Sequence, residues 1–481
     1  MPQPVPGPIE TLIDEGSFAP SGDELPPVDP LGFPGYGAAL AEARERSGAG
    51  ESVVTGSAQI GGVAAEVAAF DFSFMGGSMG GNAGELLARA LERSAARGVP
   101  FVLRTATGGA RMQEGMVSLV QMPRVVAARL ALGAARQPFV AVLGNPTTGG
   151  VLASLAALAD VTLAEAGATI GFAGPRVVES ATGRRLSSES HTAESAFAAG
   201  LVDAVVSGDG AERAAVAEVL TILATADPKR TPAPEAAGPP AERDPWDAVN
   251  TVRSPEWPRG PELARVTADS FFELRGDRAG GDDPACRAGL ATIAGGRALV
   301  LALDRGLSPG PRAYRKAIRC LRIAGRLGVP VVTLVDTPGA DPSEESEAAG
   351  IAWAIAELFE AMLSAPVPIV SVLTGEGGSG GALAFAAADV LLAYEDAVFA
   401  VIAPELAATI LWRDAGRAAE AARLLQLGAT RLRSLGICDE ILPGRPGAES
   451  LRAHLAYHLG RLANGSPDEA RRNRWRNDLG D

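Results

Sequence analysis

The chain has little of what many catalytic and metal-binding sites are made from. Its 481 residues include three cysteines and three histidines. The cysteines, at positions 286, 320 and 438, show no CxxC spacing, which excludes a zinc ribbon or a disulfide framework. None of the histidines, at positions 191, 454 and 458, lies in a glycine-rich turn, so we expect each to be structural or on the surface.

Other scarcities limit the class of protein. Lysine occurs only as Lys229 and Lys316, and the net charge of -14 argues against non-specific nucleic-acid binding. Aromatic residues make up 5%, so the cores must consist mostly of Ala, Val and Leu. The N-terminus shows no signal-peptide pattern, and no run of 18 uncharged apolar residues occurs. We therefore expect a cytoplasmic protein that binds neither nucleic acid nor membrane.

What the chain does have is a repeat at an offset of 230 residues. Residues 98–110 align with 328–340, and residues 138–143 align with 368–373. The match continues one residue out of step, pairing Asp160 with Asp389 and Pro175 with Pro404. One offset at two separated segments indicates two copies of one fold.

Short apolar runs alternate with helical patterns in each copy. The predicted strands are 101–103, 139–143, 299–303, 331–335 and 369–373, and the predicted helices are 116–132, 313–327 and 351–363. Strand, helix and strand at this spacing require crossover connections, which indicates the α/β class.

Composition divides the chain into five parts. We predict a flexible Pro-rich tail over 1–30, a first α/β domain over 31–226, and a Pro-rich linker over 227–261. A second α/β domain follows over 262–465, and residues 466–481 form a charged C-terminal tail that is helical or frayed.

Glycine-rich turns follow four of the predicted strands. They are 107–111, 146–150, 337–340 and 377–382. Glycine allows a ligand to approach the backbone closely, and amides at a helix start lack an internal acceptor. Two such amides aimed at one point make an oxyanion hole, which suits an enolate. Valine at Gly109 or Gly381 is then expected to fill the hole and abolish activity while leaving the fold intact.

Two other interpretations of these turns remain. They are consistent with ordinary tight turns at strand ends. A phosphate-binding loop is a further alternative, although neither GxxxxGK[ST] nor a strand-linked GxGxxG is present.

Side chains for acid–base chemistry are scarce near the turns. Ser78 and Ser379 lie in glycine-rich loops without a GxSxG setting, and no triad can be assembled. Glu114 and Glu376 are close to the turns, and Glu376 is either a base or, as we favour, the partner of an arginine. The pattern suits a reaction in which substrate or co-substrate moves its own proton.

These motifs resemble a known family. Residues 31–206 resemble the carboxyltransferase β subunit of bacterial acetyl-coenzyme A carboxylase, through the segments 71–80, 108–115, 146–150 and 170–177. Residues 270–443 resemble the α subunit, through 276–278, 282–285, 314–317, 335–340, 375–382 and 410–415. The chain thus looks like a natural β–α fusion. The resemblance implies two tandem crotonase-like (ClpP/crotonase) domains.

The resemblance also implies a reaction. A carboxyl group moves from carboxybiotin, held on a separate carrier protein, to acetyl-CoA to give malonyl-CoA. By this resemblance the amides of Gly108 and Gly109 hold the enolate oxygen of the thioester, and those of Gly380 and Gly381 hold the ureido oxygen of biotin. Further substrate contacts are expected at Ala110, Arg111, Gly149, Gly150, Gly339, Ala340 and Lys316.

Partners and departures follow from the same comparison. No biotin-attachment motif or ATP-grasp signature is visible, so a biotin carboxylase and a biotin carboxyl carrier protein are expected as separate partners, and no cofactor is bound covalently. The family's four-cysteine ribbon is missing, so no zinc is expected. The family's basic CoA-contacting loop is shortened at 303–312, where Arg312, Arg315 and Lys316 are candidates to compensate. Thr105-Ala106-Thr107 replaces a Ser-rich lead into Gly108. A homodimer of fused chains is expected.

Three alternatives stay open at this point. The first is that the substrate is propionyl-CoA and not acetyl-CoA. The second is that the chain is a malonyl-thioester decarboxylase component. The glycine turns do not separate these alternatives, because all of these reactions pass through an enolate. The third alternative is a non-catalytic paralogue that acts as a scaffold.

Overall fold

The computed structural model describes residues 7–235, 243–463 and 467–476. The chain divides into two compact units, Met1–Ala224 and Thr225–Asp481, which we call unit 1 and unit 2. The predicted division fell close to this boundary for the first domain, at residue 226, whereas unit 2 begins well before residue 262.

Unit 1 alternates strands and helices. Its strands are β1 (Ala19–Pro20), β2 (Val53–Ile60), β3 (Val63–Phe70), β4 (Phe101–Thr107), β5 (Phe139–Thr148), β6 (Val161–Glu165), β7 (Ile170–Gly171) and β8 (Ala204–Val206). Its helices are α1 (Gly7–Glu10), α2 (Tyr36–Ser47), α3 (Gly81–Arg97), α4 (Met116–Leu119), α5 (Gln121–Ala134), α6 (Gly149–Ser154), α7 (Pro175–Thr182), α8 (Ala193–Ala198) and α9 (Ala211–Ala224). Short 3₁₀ turns lie at Met75–Gly77, Met112–Glu114 and Ala156–Leu158.

The strands of unit 1 form one sheet in the order β1-β2-β3-β4-β5-β6-β8, with β7 beside the end of β5. Pairing is antiparallel from β1 to β3 and parallel from β3 onward. The central strands β4 and β5 are almost entirely buried and each begins with an apolar run, as expected for parallel strands with both faces covered.

Unit 2 repeats this plan. Its strands are β9 (Ser270–Leu274), β10 (Cys286–Ile293), β11 (Gly296–Leu303), β12 (Val331–Thr337), β13 (Ile369–Gly378), β14 (Val390–Tyr394), β15 (Val398–Ala400) and β16 (Glu440–Leu442). Its helices are α10 (Pro245–Arg253), α11 (Gly260–Thr267), α12 (Pro311–Leu327), α13 (Glu344–Ala348), α14 (Ile351–Ser364), α15 (Ser379–Ala386), α16 (Pro404–Trp412), α17 (Ala418–Leu424), α18 (Ala429–Ser434), α19 (Ala448–Leu462) and α20 (Pro467–Arg474). A 3₁₀ turn lies at Ala415–Arg417.

The sheet of unit 2 has the order β16-β14-β13-β12-β11-β10-β9, with β15 beside the end of β13. The predicted strands and helices of both copies are confirmed, each extended by a few residues. The only break falls in the predicted helix 116–132, which divides into α4 and α5 at Val120.

The repeat is confirmed at the level of strand register. Phe101 pairs with Phe139 in unit 1, and Val331 pairs with Ile369 in unit 2. Both pairs of strands then shift register at the same point, before Thr107 and Thr337. This shared irregularity places the glycine turns of the two units in equivalent positions.

The out-of-step pairing of Asp160 with Asp389 is also confirmed. The Asp160 carboxylate accepts from the amide of Phe139 at 2.7 Å, and the Asp389 carboxylate accepts from the amide of Ile369 at 2.7 Å. Each aspartate therefore satisfies the first amide of the central strand of its unit. Likewise, Pro175 begins α7 and Pro404 begins α16.

The predicted flexible tail 1–30 is corrected by the structure for the residues it describes. Ile9 and Leu12 are fully buried, and β1 extends the sheet by pairing with β2. The Asp14 carboxylate accepts from the amides of Gly61 and Gly62 at 3.0 and 2.8 Å. The acidic and proline content is typical of a solvated tail, but the side chains of Ile9, Leu12 and Ile13 are buried in the fold. Residues 1–6 lie outside the described residues.

The predicted linker 227–261 is likewise corrected, because most of it is an ordered part of unit 2. Asp244 caps α10, accepting from the amides of Trp246 and Asp247 at 3.0 and 3.3 Å. Val249 is fully buried and Trp257 nearly so, in one cluster with residues of β15. Residues 236–242 lie outside the described residues.

The predicted C-terminal tail contains α20, which is held by one buried arginine. Arg471 contacts the Asp389 carboxylate at 2.8 Å and the Val367 carbonyl at 2.7 Å. The segment is therefore helical where it is described, and residues 464–466 and 477–481 lie outside the described residues.

One stretch, Met116–Ala134, is long and apolar enough to cross a membrane by length and composition, and 28% of it is buried. A single such stretch is weak support for a membrane span, because core helices of other proteins pass the same test. It is also interrupted between α4 and α5, and its Arg124 pairs with Glu85 of the same unit.

Candidate active sites at the paired glycine turns

In unit 1 the turn after β4 touches the turn that starts α6. A Cβ placed on Gly109 would lie 3.2 Å from the Cα of Gly149 and 3.4 Å from the amide nitrogen of Gly150. Gly109 has φ +110° and Gly149 has φ +69°, conformations that side-chain-bearing residues rarely adopt. Glycine is thus required where the two turns meet.

The structure changes which amides of this turn pair are available. The amide of Gly108 donates to the Gly76 carbonyl at 2.9 Å, and that of Gly109 donates to Thr107 Oγ1 at 3.0 Å. The amide of Gly149 donates to the Phe172 carbonyl at 2.9 Å. The two predicted donors of this hole are therefore already used within the fold.

Two neighbouring amides remain free in the described part of the chain. No carbonyl or side chain accepts a hydrogen bond from the amide of Ala110. No side chain, and no carbonyl of a turn or loop, accepts one from the amide of Gly150. Gly150 is the second residue of α6, where no acceptor exists within the helix. The pair of donors that this site offers is thus Ala110 and Gly150, two of the expected substrate contacts, and not Gly108 and Gly109, which the resemblance assigned to the oxyanion hole.

Arg111 was predicted to bind substrate, and its surroundings assign it to the scaffold instead. Its side chain is 1% exposed and pairs with the carboxylates of Glu51 and of Glu114, the latter at 3.2 Å. It also donates to the Ser78 carbonyl at 2.8 Å. Burial alone would lower the pKa of Arg111, but the adjacent Glu51 carboxylate raises it above the ordinary value. Arg111 thus fixes the backbone just after Ala110 and has no polar group left for a ligand.

Glu114 closes the same network. Its carboxylate accepts from the Tyr36 hydroxyl at 2.5 Å and from the Gly81 amide at 2.6 Å. Both carboxylate oxygens are thereby occupied, so Glu114 holds the turn in place and is not positioned as a base.

The two turns of unit 2 meet in the same way. A Cβ on Gly381 would lie 2.9 Å from the amide nitrogen of Ala340. The amide of Gly339 is used, donating to Thr337 Oγ1 at 3.3 Å. Within the described residues, no acceptor is found for the amide of Ala340, and no side chain or loop carbonyl accepts from Gly380. Ala340 and Gly380 lie 230 positions after Ala110 and Gly150, so the free amides recur at the equivalent places.

Gly380 itself borders open space. A Cβ on Gly380 would meet no atom within 4 Å, whereas every substituent on Gly381 would press on Tyr314 and Ala340. Of the two predicted glycines, Gly380 therefore faces open space, and Gly381 packs the helix against the neighbouring turn.

Sequence reasoning missed Tyr314, which lies beside this second turn pair. Tyr314 is fully buried, and its hydroxyl has no hydrogen-bond partner among the described residues. A Cβ on Gly381 would lie 2.6 Å from that hydroxyl oxygen. The position 230 residues earlier is Gly84, so this hydroxyl belongs to unit 2 alone. A buried tyrosine usually finds a partner, and that unsatisfied hydroxyl is the signal that only the structure supplies.

The expectation that valine at Gly109 or Gly381 leaves the fold intact is not supported. Gly109 has φ +110°, which strains any side chain, and a Cβ on Gly381 would crowd the Ala340 backbone. Lost activity in either variant would therefore not separate a filled hole from a displaced turn.

Two acidic residues near the second turn pair are held by arginines. Glu376 pairs with Arg253 at 2.6 Å, as we favoured from sequence. Asp336 is fully buried and pairs with Arg305 at 2.8 Å. Burial raises the pKa of Asp336 to about 6, and the Arg305 guanidinium only partly opposes this rise. Arg305 lies in the shortened loop after β11. That loop therefore contacts the turn through the ion pair with Asp336.

Lys316 was predicted to bind substrate, and the structure places it in the interior. It is 1% exposed, and its ammonium donates to Asp282 Oδ1 and to the Asp283 carbonyl, both at 2.7 Å. Arg315 is likewise tied to Asp277 at 3.0 Å. Of the three basic residues proposed to compensate for the short loop, only Arg312 is exposed and outside any ion pair described for this chain.

Known proteins match the chain along most of its length. The family described as acetyl co-enzyme A carboxylase carboxyltransferase-like matches residues 241–475. The acetyl-coenzyme A carboxylase carboxyl transferase subunits beta/alpha of Salinispora tropica is 45% identical over 466 residues, covering 91% of this chain and 82% of the relative. A probable biotin-dependent acyl-coenzyme A carboxylase beta3 subunit of Mycobacterium bovis is 37% identical over 453 residues, covering 93% and 90%.

Solved structures agree on the fold. A structure of transcarboxylase 12S with methylmalonyl-coenzyme A and methylmalonic acid bound superposes with a TM-score of 0.77 at 23% identity, covering 94% of this chain and 88% of that one. The predicted α/β fold of two tandem crotonase-like domains is thereby confirmed. Together, the motifs, the duplicated turn geometry and the relatives that align across both units show that this chain belongs to the acetyl-coenzyme A carboxylase carboxyltransferase family.

Proposed function

We propose that the chain is a biotin-dependent carboxyltransferase that moves a carboxyl group from carboxybiotin to acetyl-CoA, giving malonyl-CoA. Membership of the family supports the reaction class. The Salinispora tropica relative, whose name specifies acetyl-CoA, supports the acetyl substrate. The observation that carries the mechanism is the recurrence of two free amides at equivalent turns of the two units, where the nearby carboxylates of Glu114 and Glu376 are held by neighbouring groups.

The amide pair of unit 1 serves the acyl-CoA in this proposal. When the α-carbon loses its proton, negative charge develops on the thioester oxygen. Donors that are already oriented stabilise that charge without reorganisation. Ala110 and Gly150 provide such donors. Met112 and Met116, which follow the turn and are 84% and 66% exposed, give an apolar surface beside them for the acyl-CoA arm.

The amide pair of unit 2 serves biotin. As the N–CO₂ bond of carboxybiotin breaks, charge develops on the ureido oxygen, and the amides of Ala340 and Gly380 stabilise it. The unpartnered Tyr314 hydroxyl adds a third donor beside the same turn. This hydroxyl is present in unit 2 and has no counterpart in unit 1. That difference is consistent with the two units stabilising anions of different shape, the thioester enolate and the biotin ureido group.

The proton balance needs no side-chain base. Loss of CO₂ from carboxybiotin leaves a basic ureido nitrogen, which takes the α-proton of acetyl-CoA. The resulting enolate carbon then attacks CO₂, forming the new C–C bond. Since Glu114 and Glu376 are held by neighbouring groups, the co-substrate is the base that this chemistry requires.

The test is the reverse reaction with purified full-length chain, malonyl-CoA and free biocytin. Biocytin-dependent release of acetyl-CoA supports the proposal without the partner proteins. Release of acetyl-CoA without biocytin contradicts it and indicates a decarboxylase. Turnover of methylmalonyl-CoA but not of malonyl-CoA would show that the acceptor is propionyl-CoA and not acetyl-CoA. No turnover of either thioester would indicate a non-catalytic scaffold.

The partners remain part of this proposal. The carboxybiotin is carried by a separate carrier protein and recharged by a biotin carboxylase, and the fused chain acts as a homodimer in the cytoplasm. Light scattering on the eluting peak of a size-exclusion column would contradict the dimer if the mass equals that of one chain, 49.0 kDa.

A further inference from the structure

Two of the three histidines of the chain converge on one glutamate, far along the sequence from either glycine turn. His454 and His458 lie one helical turn apart on α19, and Glu440 lies on β16 at the edge of the unit 2 sheet. One ligand atom from each of the three residues can be chosen so that all lie within 4.8 Å of one another.

The contacts within the cluster are unequal. His458 Nε2 lies 2.7 Å from one carboxylate oxygen of Glu440 and forms a hydrogen bond with it. His454 Nδ1 lies 3.2 Å from the other oxygen, yet it is buried and has no hydrogen-bond partner among the described residues. Two imidazole nitrogens and one carboxylate therefore lie at short distances from one another around a common point. Ligand atoms that surround a cation have this arrangement.

A closed hydrogen-bonded triad is the ordinary alternative. It would satisfy both imidazoles with the two carboxylate oxygens, and buried polar atoms are nearly always satisfied in this way. The unsatisfied nitrogen of His454 is what this alternative does not explain. The site is also reachable: His454 and His458 are 9% and 5% exposed at the side chain, whereas Glu440 is 36% exposed.

We propose that Glu440, His454 and His458 form a binding site for a divalent cation of the zinc class. Two imidazoles and one carboxylate suit Zn²⁺, which prefers tetrahedral nitrogen and oxygen ligands, and water completes the fourth position. Histidines four residues apart on a helix face the same side, so α19 presents both rings to β16. The cation joins α19 to the edge strand β16 of the unit 2 sheet, outside the machinery proposed for carboxyl transfer.

The test is direct metal binding by the untagged, chelator-treated full chain. Zn²⁺ is titrated in competition with a chromophoric chelator, and Co²⁺ is added separately to look for the visible absorption of a tetrahedral complex. We expect one ion bound per chain. Glu440→Gln and His458→Gln are each expected to weaken Zn²⁺ binding by about a hundredfold or more, since changing even an outer partner of a ligand costs 10–100-fold.

The chain offers a matched control in its one other histidine. His191 lies in unit 1, where its Nδ1 is hydrogen-bonded to the Ser190 hydroxyl at 2.6 Å. His191→Gln is expected to bind Zn²⁺ as the unchanged chain does. Far-UV circular dichroism of the metal-free variants tests whether each is folded. If Glu440→Gln does not fold, Zn²⁺ binding by His458→Gln is the deciding measurement. Absence of binding by the unchanged chain, or equal binding by all three variants, would overturn the proposal.

Discussion

Whether a backbone amide can serve a substrate depends on what already accepts from it. Gly108 and Gly109 have the residue type that an oxyanion hole needs, but Gly76 and Thr107 accept from their amides. The adjacent Ala110 has an ordinary side chain and a free amide. At the residue scale, glycine marks where two turns pass close together, and the donors are the neighbouring amides from which no group accepts.

Gly380→Ala is the sharpest test of the proposed biotin pocket. The new methyl group meets no atom within 4 Å, so it occupies only the space beside the free amide. Alanine also favours a helix over glycine by about 1 kcal/mol, so stability should not fall. We expect biocytin-dependent turnover to fall about 10²-fold, the size seen when one oxyanion donor is lost.

The matched control is Gly37→Ala. Gly37 is likewise the second residue of its helix, α2, and a Cβ there also meets nothing within 4 Å. We expect unchanged turnover. Full activity in Gly380→Ala would remove that amide from the mechanism.

The buried carboxyl of Asp336 should make stability depend on pH in an unusual direction. Burial raises the pKa of Asp336 from 3.8 to about 6, so the folded chain retains a proton that the unfolded chain loses. The stabilisation is complete below pH 4 and disappears as the pH rises through about 6. Relative to Asp336→Asn, the free energy of unfolding of the unchanged chain should fall by about 3 kcal/mol across this window.

Urea denaturation of both proteins at several pH values measures this difference. Asp336→Asn loses its ion pair with Arg305 at every pH, so only the change in the gap between the two proteins is diagnostic. A gap that stays constant with pH would show that Asp336 is ionised throughout.

At the scale of elements, proline-rich composition hid a docked helix. The segment around α10 has the signals of a helix start, with Asp244 as N-cap and Pro245 as the first helical residue. Its apolar residues, Val249 and Trp257 among them, pack against β15 and α17. Proline density is typical of a linker, but it describes the whole segment 227–261. The helix α10 occupies only part of that segment.

Trp257 anchors this segment. It is 5% exposed, and its indole N–H donates to the Thr374 carbonyl of β13 at 2.8 Å. Trp257→Ala should destabilise unit 2 by about 3–5 kcal/mol, the usual cost of deleting a buried tryptophan side chain. Trp257→Phe should cost less, since it retains most of the packing and loses only the hydrogen bond.

Chemical denaturation followed by tryptophan fluorescence measures both variants. Trp353 provides the control, because it is 74% exposed on α14. Trp353→Ala is expected to change stability by less than about 0.5 kcal/mol. If Trp257→Ala is as stable as this control, the segment does not contribute to the stability of unit 2 and is a linker.

At the scale of the whole molecule, the duplicated fold carries an optical asymmetry. All five tryptophans, at positions 246, 257, 353, 412 and 475, belong to unit 2. Tryptophan fluorescence therefore reports the unfolding of unit 2, whereas far-UV circular dichroism reports both units. This difference allows the two copies to be followed separately in the intact chain.

Phe139→Ala uses this asymmetry. Phe139 is fully buried in β5, with its ring 5.3 Å from that of Phe101, and its removal should destabilise unit 1 by about 3–5 kcal/mol. We expect an earlier transition by circular dichroism and an unchanged midpoint by fluorescence. An equal shift in both signals would mean that the two units unfold cooperatively.

The duplication, the α/β class and the family could all be recognised from the order of the residues. Apolar runs predicted the central strands, the 230-residue offset predicted which turns are equivalent, and the match one residue out of step paired Asp160 with Asp389. These features are local or periodic, so they can be recognised without knowing which distant residues meet. The turns as the place of the candidate sites also followed from glycine at strand ends.

Which groups in those turns are free is known only once the chain is folded. Arg111 and Lys316 seemed suited to bind an anion, but each is buried in an ion pair with carboxylates that lie close to it only after folding. The Tyr314 hydroxyl and the cluster of Glu440, His454 and His458 likewise depend on residues brought together from separate elements. Burial and hydrogen-bond satisfaction are properties of the packed chain, because a donor is available only when every neighbour that could accept from it is known.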